Sequence, residues 1–404
     1  MRIAVLCDHP FASPLIDALR KGVDGHRLSR IVTVGTCSTK GALFPEVNHS
    51  DSWEELLVSK EIDAVIVDGA GQHVLDGVKQ LATANVPLVF IPRADQGSTL
   101  AYELSLIRDD NHVFLYPLLW HRFDNAVIAL KTAIQTGRLG RIQFLQLHHT
   151  LSQPQEGMAI PQQEIDARLL HDVDLARWLM GDYNQITALR SGTTDAGVLM
   201  QNVVLSRGSL PEFNWQIQPT VGRDDWNLTV KGERGTARLS RSGSNGAWRC
   251  EIESDIVEGN EPETARQALA AISMALHEAG GEKTVSADDD CWGELVKTFE
   301  TIDATHRSVK RRRTIELHFE PMSERAIFKT QMTALGCGLL VATLPLTLCY
   351  LGIASLIPLP SSVLIGLRML IFAPLVLFLI VQILLPLTRP STAERQSATS
   401  SSEL

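Results

Sequence analysis

The sequence predicts an α/β domain built on a parallel sheet, then an α+β domain with a mostly antiparallel open sheet, and finally a C-terminal pair of membrane-crossing helices. Three observations predict this. Short apolar runs alternate with amphipathic stretches over residues 1–120, the pattern of βαβ units with helices on both faces. From residue 141 onward, strand-like runs follow one another with few helices between them, which implies antiparallel pairing. Between Gln331 and Thr388 the only charge is Arg368.

Apolar runs at 2–7, 28–34, 63–67, 87–91 and 112–116 read as strands. Helical patterns fall at about 11–22, 51–60, 73–84 and 96–109, and 124–136 reads as a further helix stopped by Gly137. A strand that runs directly into a helix at the N-terminus is the entry to a Rossmann unit. In the second region, 141–149 reads as a strand and 164–180 as a helix with Leu169, Leu170, Val173, Ala176 and Leu179 on one side. Strands are expected at 186–191, 197–206, 212–218, 226–232, 235–240 and 247–253, followed by helices at 262–279 and 287–307 and a last strand at 314–319.

The expected domains are 1–122, nucleotide-binding; 123–320, substrate-binding and oligomerising; 330–388, membrane-spanning; and 389–404, a disordered Ser/Thr-rich tail. The apolar stretch divides at Pro358 into 332–357 and 363–387, each longer than the roughly 20 residues that cross a bilayer core. Arg325, Lys329, Arg389 and Arg395 flank the pair, so a multi-pass hairpin is expected with the soluble domains and C-terminus cytoplasmic. The basic run from Arg307 to Arg313 suits both a helix C-terminus and a lipid headgroup surface.

The net charge of −9 argues against a general nucleic-acid binder. Cysteines 7, 37, 250, 291, 337 and 349 have no paired spacing, so neither a disulfide framework nor a zinc site is expected. His148 and His149 lack metal-ligand spacing, and no metal is expected.

Five weak motifs in order resemble the glucose–fructose oxidoreductase / inositol dehydrogenase / MocA (Gfo/Idh/MocA) family over about residues 1–320. Asp63 to His73 looks like the family's third strand with its nucleotide-contacting loop, and Arg122-Phe123 matches the Arg-Phe after the fifth strand. Gly137 to Ile142 looks like the connector into the second domain. His171 to Gly181 is similar to the H-x-x-D-x-x-x-W-x-x-G helix, and Val230 to Thr236 resembles the G-(E/D)-x-G hairpin.

The resemblance implies NAD or NADP as cofactor and a sugar, cyclitol or nucleotide-sugar hydroxyl as substrate. It implies His171 as base, with Asp174 or Asp166 orienting it, and places Cys7, Asp8, His9, Asp68, Gly69, His73 and Arg93 at the cofactor. It also implies assembly of copies through the second-domain sheet. The chain departs from the family at four places. Cys7-Asp8-His9-Pro10 replaces the glycine-rich turn, and Gly35 to Lys40 offers no carboxylate for a ribose. Pro92-Arg93 stands where the family has a lysine, and Ala167 stands where it has an aspartate. An arginine stays protonated and does not replace a titratable amine.

Two functions are therefore expected to compete: a membrane-anchored NAD(P)-dependent oxidoreductase, and a catalytically impaired relative that binds a ligand or supports assembly at the membrane. The residues themselves leave two readings of the His171 helix open. His171 could take a proton near neutrality, or it could pair with its helix neighbours at i,i+3 and i,i+4 spacing. Asp172 is expected to pair with Arg168, and Asp8 to cap the first helix.

Overall fold

Apolar runs bounded by turn residues form two sheets in the computed structural model. It describes residues 1–9, 13–35, 44, 47–59, 61–155, 158–194, 197–243, 246–279 and 291–319, with isolated positions between 341 and 369. In chain order the first region comprises β1 (Arg2–Cys7), α1 (Pro14–Lys21), β2 (Arg27–Thr33), β3 (Asn48–Ser50), α2 (Glu54–Val58), β4 (Ala64–Asp68), α3 (Gln72–Thr83), β5 (Leu88–Phe90), α4 (Gly97–Asn111) and β6 (Leu115–Pro117). All of its strands are parallel, in the order β3-β2-β1-β4-β5-β6. This is the doubly wound order, whose direction of winding reverses between β1 and β4.

β1 and β4 are apolar along almost their whole length because both sheet faces are covered; Ile3 to Leu6 and Ala64 to Val67 are fully buried. α1 places Leu15, Ile16 and Leu19 on one face, and burying each contributes roughly 1.5–3 kcal/mol.

A 3-10 turn at Trp120–Phe123 and α5 (Asn125–Gln135) lead into the second region. It holds β7 (Ile142–Ser152), α6 (Gln162–Met180), β8 (Gln185–Thr194), β9 (Gly197–Arg207), β10 (Leu210–Thr220), β11 (Asp225–Gly232), β12 (Thr236–Ser242), β13 (Arg249–Ile252), β14 (Asp255–Glu258), α7 (Glu261–Ala279), α8 (Cys291–Arg311) and β15 (Ile315–Glu316). Nine strands form one sheet in the order β14-β13-β12-β11-β7-β10-β9-β8-β15. It is mixed: β7 and β10 run parallel and the other pairs antiparallel. One face is apolar, and on β7 buried Leu145, Leu147, His149 and Leu151 alternate with exposed Gln146 and His148. His149 is thus the one polar member of a buried row.

α7 and α8 tie the sheets together within one compact unit, Met1–His318. Ala265, Ala268, Leu269 and Ile272 of α7 pack into the same core as β1 and α1. Trp292 of α8 meets Phe90 edge-on at 5.2 Å, and its indole N–H donates to Ser105 Oγ at 3.0 Å.

The membrane location expected from the sequence is corrected. Among the described residues no helix is long and apolar enough to cross a membrane. A helical span needs an apolar helix of about 20 residues. The long described helices α6, α7 and α8 are amphipathic and carry charges throughout. The expected spans at 332–357 and 363–387 and the tail at 389–404 lie almost wholly outside the described residues.

Candidate functional site

Two concave places border the two sheets. The first is the crevice at the C-terminal ends of β1 and β4, where Cys7 and Asp68 are register partners. Asp8 fills it. Its Oδ2 accepts the backbone N–H of Gly71 at 2.6 Å and of Ala70 at 3.0 Å. A Cβ on Gly69 or Gly71 would come within 2.9 Å of the Asp8 carboxylate. The glycines that ordinarily let a backbone approach a phosphate here make room for the chain's own carboxylate. Asp8 was expected to cap α1; it instead satisfies the orphan amides at the start of α3, while Ser13 Oγ accepts the N–H of Ile16 on α1.

From Asp8 a line of charges crosses the crevice. His9 Nδ1 lies 3.0 Å from Asp8 Oδ1, and His9 Nε2 lies 3.3 Å from Asp68 Oδ2. Arg93 Nη1 stands 3.8 Å from Asp68 Oδ1, and its Nη2 pairs with Asp95 at 3.1 Å. Gln96 locks the loops beneath, donating to Gly69 O at 3.0 Å and accepting from Arg93 N at 3.0 Å. Hydrogen bonding to Asp68 raises the pKa of His9 against its partial burial, and the bond to Asp8 adds to this. Burial opposes ionisation of Asp8, but the bonds from His9, Gly71 and Ala70 outweigh it and its pKa falls. Burial pushes the Cys7 thiol up to about 11, so it is inert at neutral pH.

The described residues do not fit a dinucleotide pyrophosphate. Such a group needs free amides at a helix start. On α1, Pro14 has no N–H and the Ile16 N–H is taken by Ser13; just ahead of α3, Asp8 takes the amides of Ala70 and Gly71. The adjoining open depression is lined by further carboxylates, Asp51 and Glu54, together with Asp8, Trp53 and His73. Phosphate oxygens would meet like charge there.

The second place is a cleft between the apolar face of the nine-stranded sheet, the first half of α6 and the Trp120–Phe123 turn. It encloses a cavity of about 90 Å³. His171 lines it with His121, their ring centroids 5.4 Å apart. Trp248 stands edge-on to His121 at 5.0 Å and to Trp226 at 4.6 Å. Burial first, then the neighbouring His171, lowers the pKa of His121 to about 3. Burial likewise lowers that of His171, so both rings are neutral.

At the floor, Asp172 is buried and accepts the indole N–H of Trp215 at 2.7 Å and of Trp226 at 2.8 Å. His149 Nε2 lies 2.9 Å from Asp172 Oδ2, a charge contact outside hydrogen-bond geometry. Burial opposes ionisation of Asp172, but His149 and the two indoles overcome it and its pKa falls. The expected Asp172–Arg168 pair does not form. Adjacent helix positions some 100° apart face different ways, and Arg168 faces Glu164 at 3.6 Å.

The other expected site residues have partners of their own. Asp174 is held by Arg122 through two hydrogen bonds of 2.5 and 3.1 Å, fixing α6 to the inter-sheet turn. Asp166 lies 3.1 Å from His306 of α8 and accepts from Gln162. Neither carboxylate is paired with His171, which has no hydrogen-bond partner among the described residues. Asp8, His9, Asp68, Gly69 and Arg93 are brought together, with Cys7 beneath; His73, exposed on α3, borders only the open depression. Residues missed in the sequence are His121, His149, Arg241, Trp226 and Trp248 of the cleft. One signal was available: a buried tryptophan seeks an acceptor for its N–H, and Trp215 and Trp226 occupy inward strand positions.

No protein-family model matches the chain, and no curated protein matches it significantly. Solved structures do. An oxidoreductase from Agrobacterium radiobacter, in complex with NAD+, L-tartaric acid and magnesium, matches with a TM-score of 0.61 at 16% identity, covering 78% of this chain and 98% of that one. A myo-inositol dehydrogenase from Corynebacterium glutamicum matches with a TM-score of 0.61 at 15% identity, covering 79% and 99%. A myo-inositol 2-dehydrogenase from Lactobacillus plantarum matches with a TM-score of 0.58 at 12% identity, covering 78% and 99%. At these identities the likeness establishes the fold: the chain is folded as Gfo/Idh/MocA-type oxidoreductases are.

Proposed function

We propose that this chain is a Gfo/Idh/MocA-type protein whose working site is the His171 cleft, and that it binds a small hydroxylated ligand there without a dinucleotide in the crevice. The observation that carries this reading is Asp8, seated on the amides of Ala70 and Gly71 and linked through His9 to Asp68. A crevice whose charges are satisfied internally offers a pyrophosphate repulsion in place of donors. The cleft, by contrast, keeps two neutral imidazoles beside an aromatic wall, groups suited to hydroxyls.

The second reading is an NAD(P)-dependent oxidoreductase acting on a sugar, cyclitol or nucleotide-sugar hydroxyl. It is favoured by His171, a neutral imidazole in the cleft and so able to accept a proton. Fluorescence titration of NADH and NADPH with the full chain separates the two. The expected outcome is no saturable signal up to millimolar protein. Saturable binding would overturn the first reading in favour of the second, and His171→Ala should then abolish turnover while leaving cofactor binding intact.

A further inference from the structure

Two arginines that line the cleft are only loosely paired. Among the described residues Arg168 Nε is buried with no hydrogen-bond partner, and a carboxylate oxygen of Glu164 lies 3.6 Å from Nη2. Arg241 donates through Nε to Gly246 O at 2.7 Å and lies over the Trp248 ring at 5.4 Å. Its nearest carboxylate, Glu261, is likewise 3.6 Å away. Burial weakens the hold of Arg241 on its proton, Glu261 partly restores it, and repulsion from Arg168 adds to the weakening.

The cavity's acids do not relieve this charge. Asp172 is committed to Trp215, Trp226 and His149. Asp225 sits exposed at the rim, and half-buried Asp224 is engaged there through Oδ1, which accepts the N–H of Ser152. Two guanidiniums line one partly desolvated space, one of them with a buried N–H unpartnered among the described residues, and together they suit an anion. Beside them His121 Nδ1 is also buried and unpartnered. A neutral imidazole in that position is matched by a hydroxyl. The cavity, of about 90 Å³, is partly open to solvent, so a small ligand can enter it.

We infer that the cleft binds a small hydroxy acid, its carboxylate held by Arg168 and Arg241 and its hydroxyl by His121 and His171. This rests on the proposal that the cleft is the working site and adds the chemical class of its ligand. Trp226 and Trp248 line the cavity, so intrinsic fluorescence of the full chain reports occupancy directly, with calorimetry as the second readout. Glycolate and D-glycerate are titrated against glycerol, erythritol and inorganic phosphate.

The expected result is saturable binding of the hydroxy acids, competed by neither polyol, and weakened about tenfold to a hundredfold in Arg168→Gln, the loss of one charge-assisted hydrogen bond. Arg168 Nε has no protein partner to lose, so this variant should fold as the parent does; Arg241→Lys, which keeps the charge without the fork, should bind with an intermediate loss. Equal binding of glycerol or erythritol would overturn the acid assignment and leave the cleft reading standing. Preferential binding of phosphate would overturn the carboxylate. Binding of none of these to a folded chain would overturn both the inference and the reading beneath it.

Discussion

The crevice at the first sheet and the cleft at the second hold similar residues and use them in opposite ways. Each contains histidine, aspartate and arginine. In the crevice every charge meets its opposite: Asp8 with His9, His9 with Asp68, and Arg93 with Asp68 and Asp95. In the cleft one carboxylate accepts two indole N–H groups at the floor, while Arg168 Nε and His121 Nδ1 have no hydrogen-bond partners among the described residues. Buried polar groups without partners cost free energy, and proteins keep them where a ligand repays the cost. Pairing closes one place, and its absence marks the other as open. On the proposed reading, the fold shared with dehydrogenases separates from the property the fold usually serves.

The sharpest way to break this comparison is at the floor of the cleft. Asp172→Ala leaves two buried indole N–H groups without their acceptor and His149 without its neighbouring carboxylate. Removing one partner from such a buried charged cluster costs about 3–5 kcal/mol. The urea midpoint of the full chain should fall accordingly. A midpoint near the parent's would show that Asp172 does not anchor α6 to the sheet.

A smaller effect is expected in the crevice. Asp8→Ala removes the acceptor from the α3 amides, much as a lost helix cap does, at about 1 kcal/mol. The variant should still fail to bind NADH, because Pro14 and the Ser13 cap remain on α1. If Asp8→Ala alone conferred tight dinucleotide binding, Asp8 would be a displaceable plug and the crevice only shut, not lost.

The order of elements was legible because apolar periodicity is written locally. Expected strands at 2–7, 63–67 and 226–232 lie within a residue of β1, β4 and β11. Missed were β3 at Asn48–Ser50 and β14 at Asp255–Glu258, too short and too polar for a period-two signal and held only by their neighbours. The parallel pair within the second sheet, β7 with β10, also escaped, since pairing partners distant in sequence leave no local mark. The sites divide the same way. Asp8, His9 and Asp68 were visible because a motif pointed at them. His121, Arg241 and Trp248 come from separate elements, and only folding brings them beside His171. Asp172 was read along its helix and assigned to Arg168, when its real partners stand across on β10 and β11.

The smallest effects separate the histidines of the two regions by the sign of their pH dependence. His9 has a raised pKa in the folded chain, so its contribution is complete below the unfolded value of about 6.5 and is lost as pH rises through the folded value. His121 is depressed to about 3. Between that pH and about 6.5 the unfolded imidazole binds a proton that the folded one refuses, so stability falls as pH falls through this window. Asp172, with its lowered pKa, acts in the same direction further into acid. The His9 contacts should therefore weaken as pH rises above about 6.5 and those of His121 as pH falls below it, while Asp8, whose own pKa is lowered, adds an acid limb to the crevice. Urea midpoints measured across pH should lose their falling slope above about pH 6.5 in His9→Gln and the upper part of their acid slope in His121→Gln. Parallel curves for the two variants would mean that the closed crevice and the open cleft are not electrostatically distinct, and the comparison between them would fail.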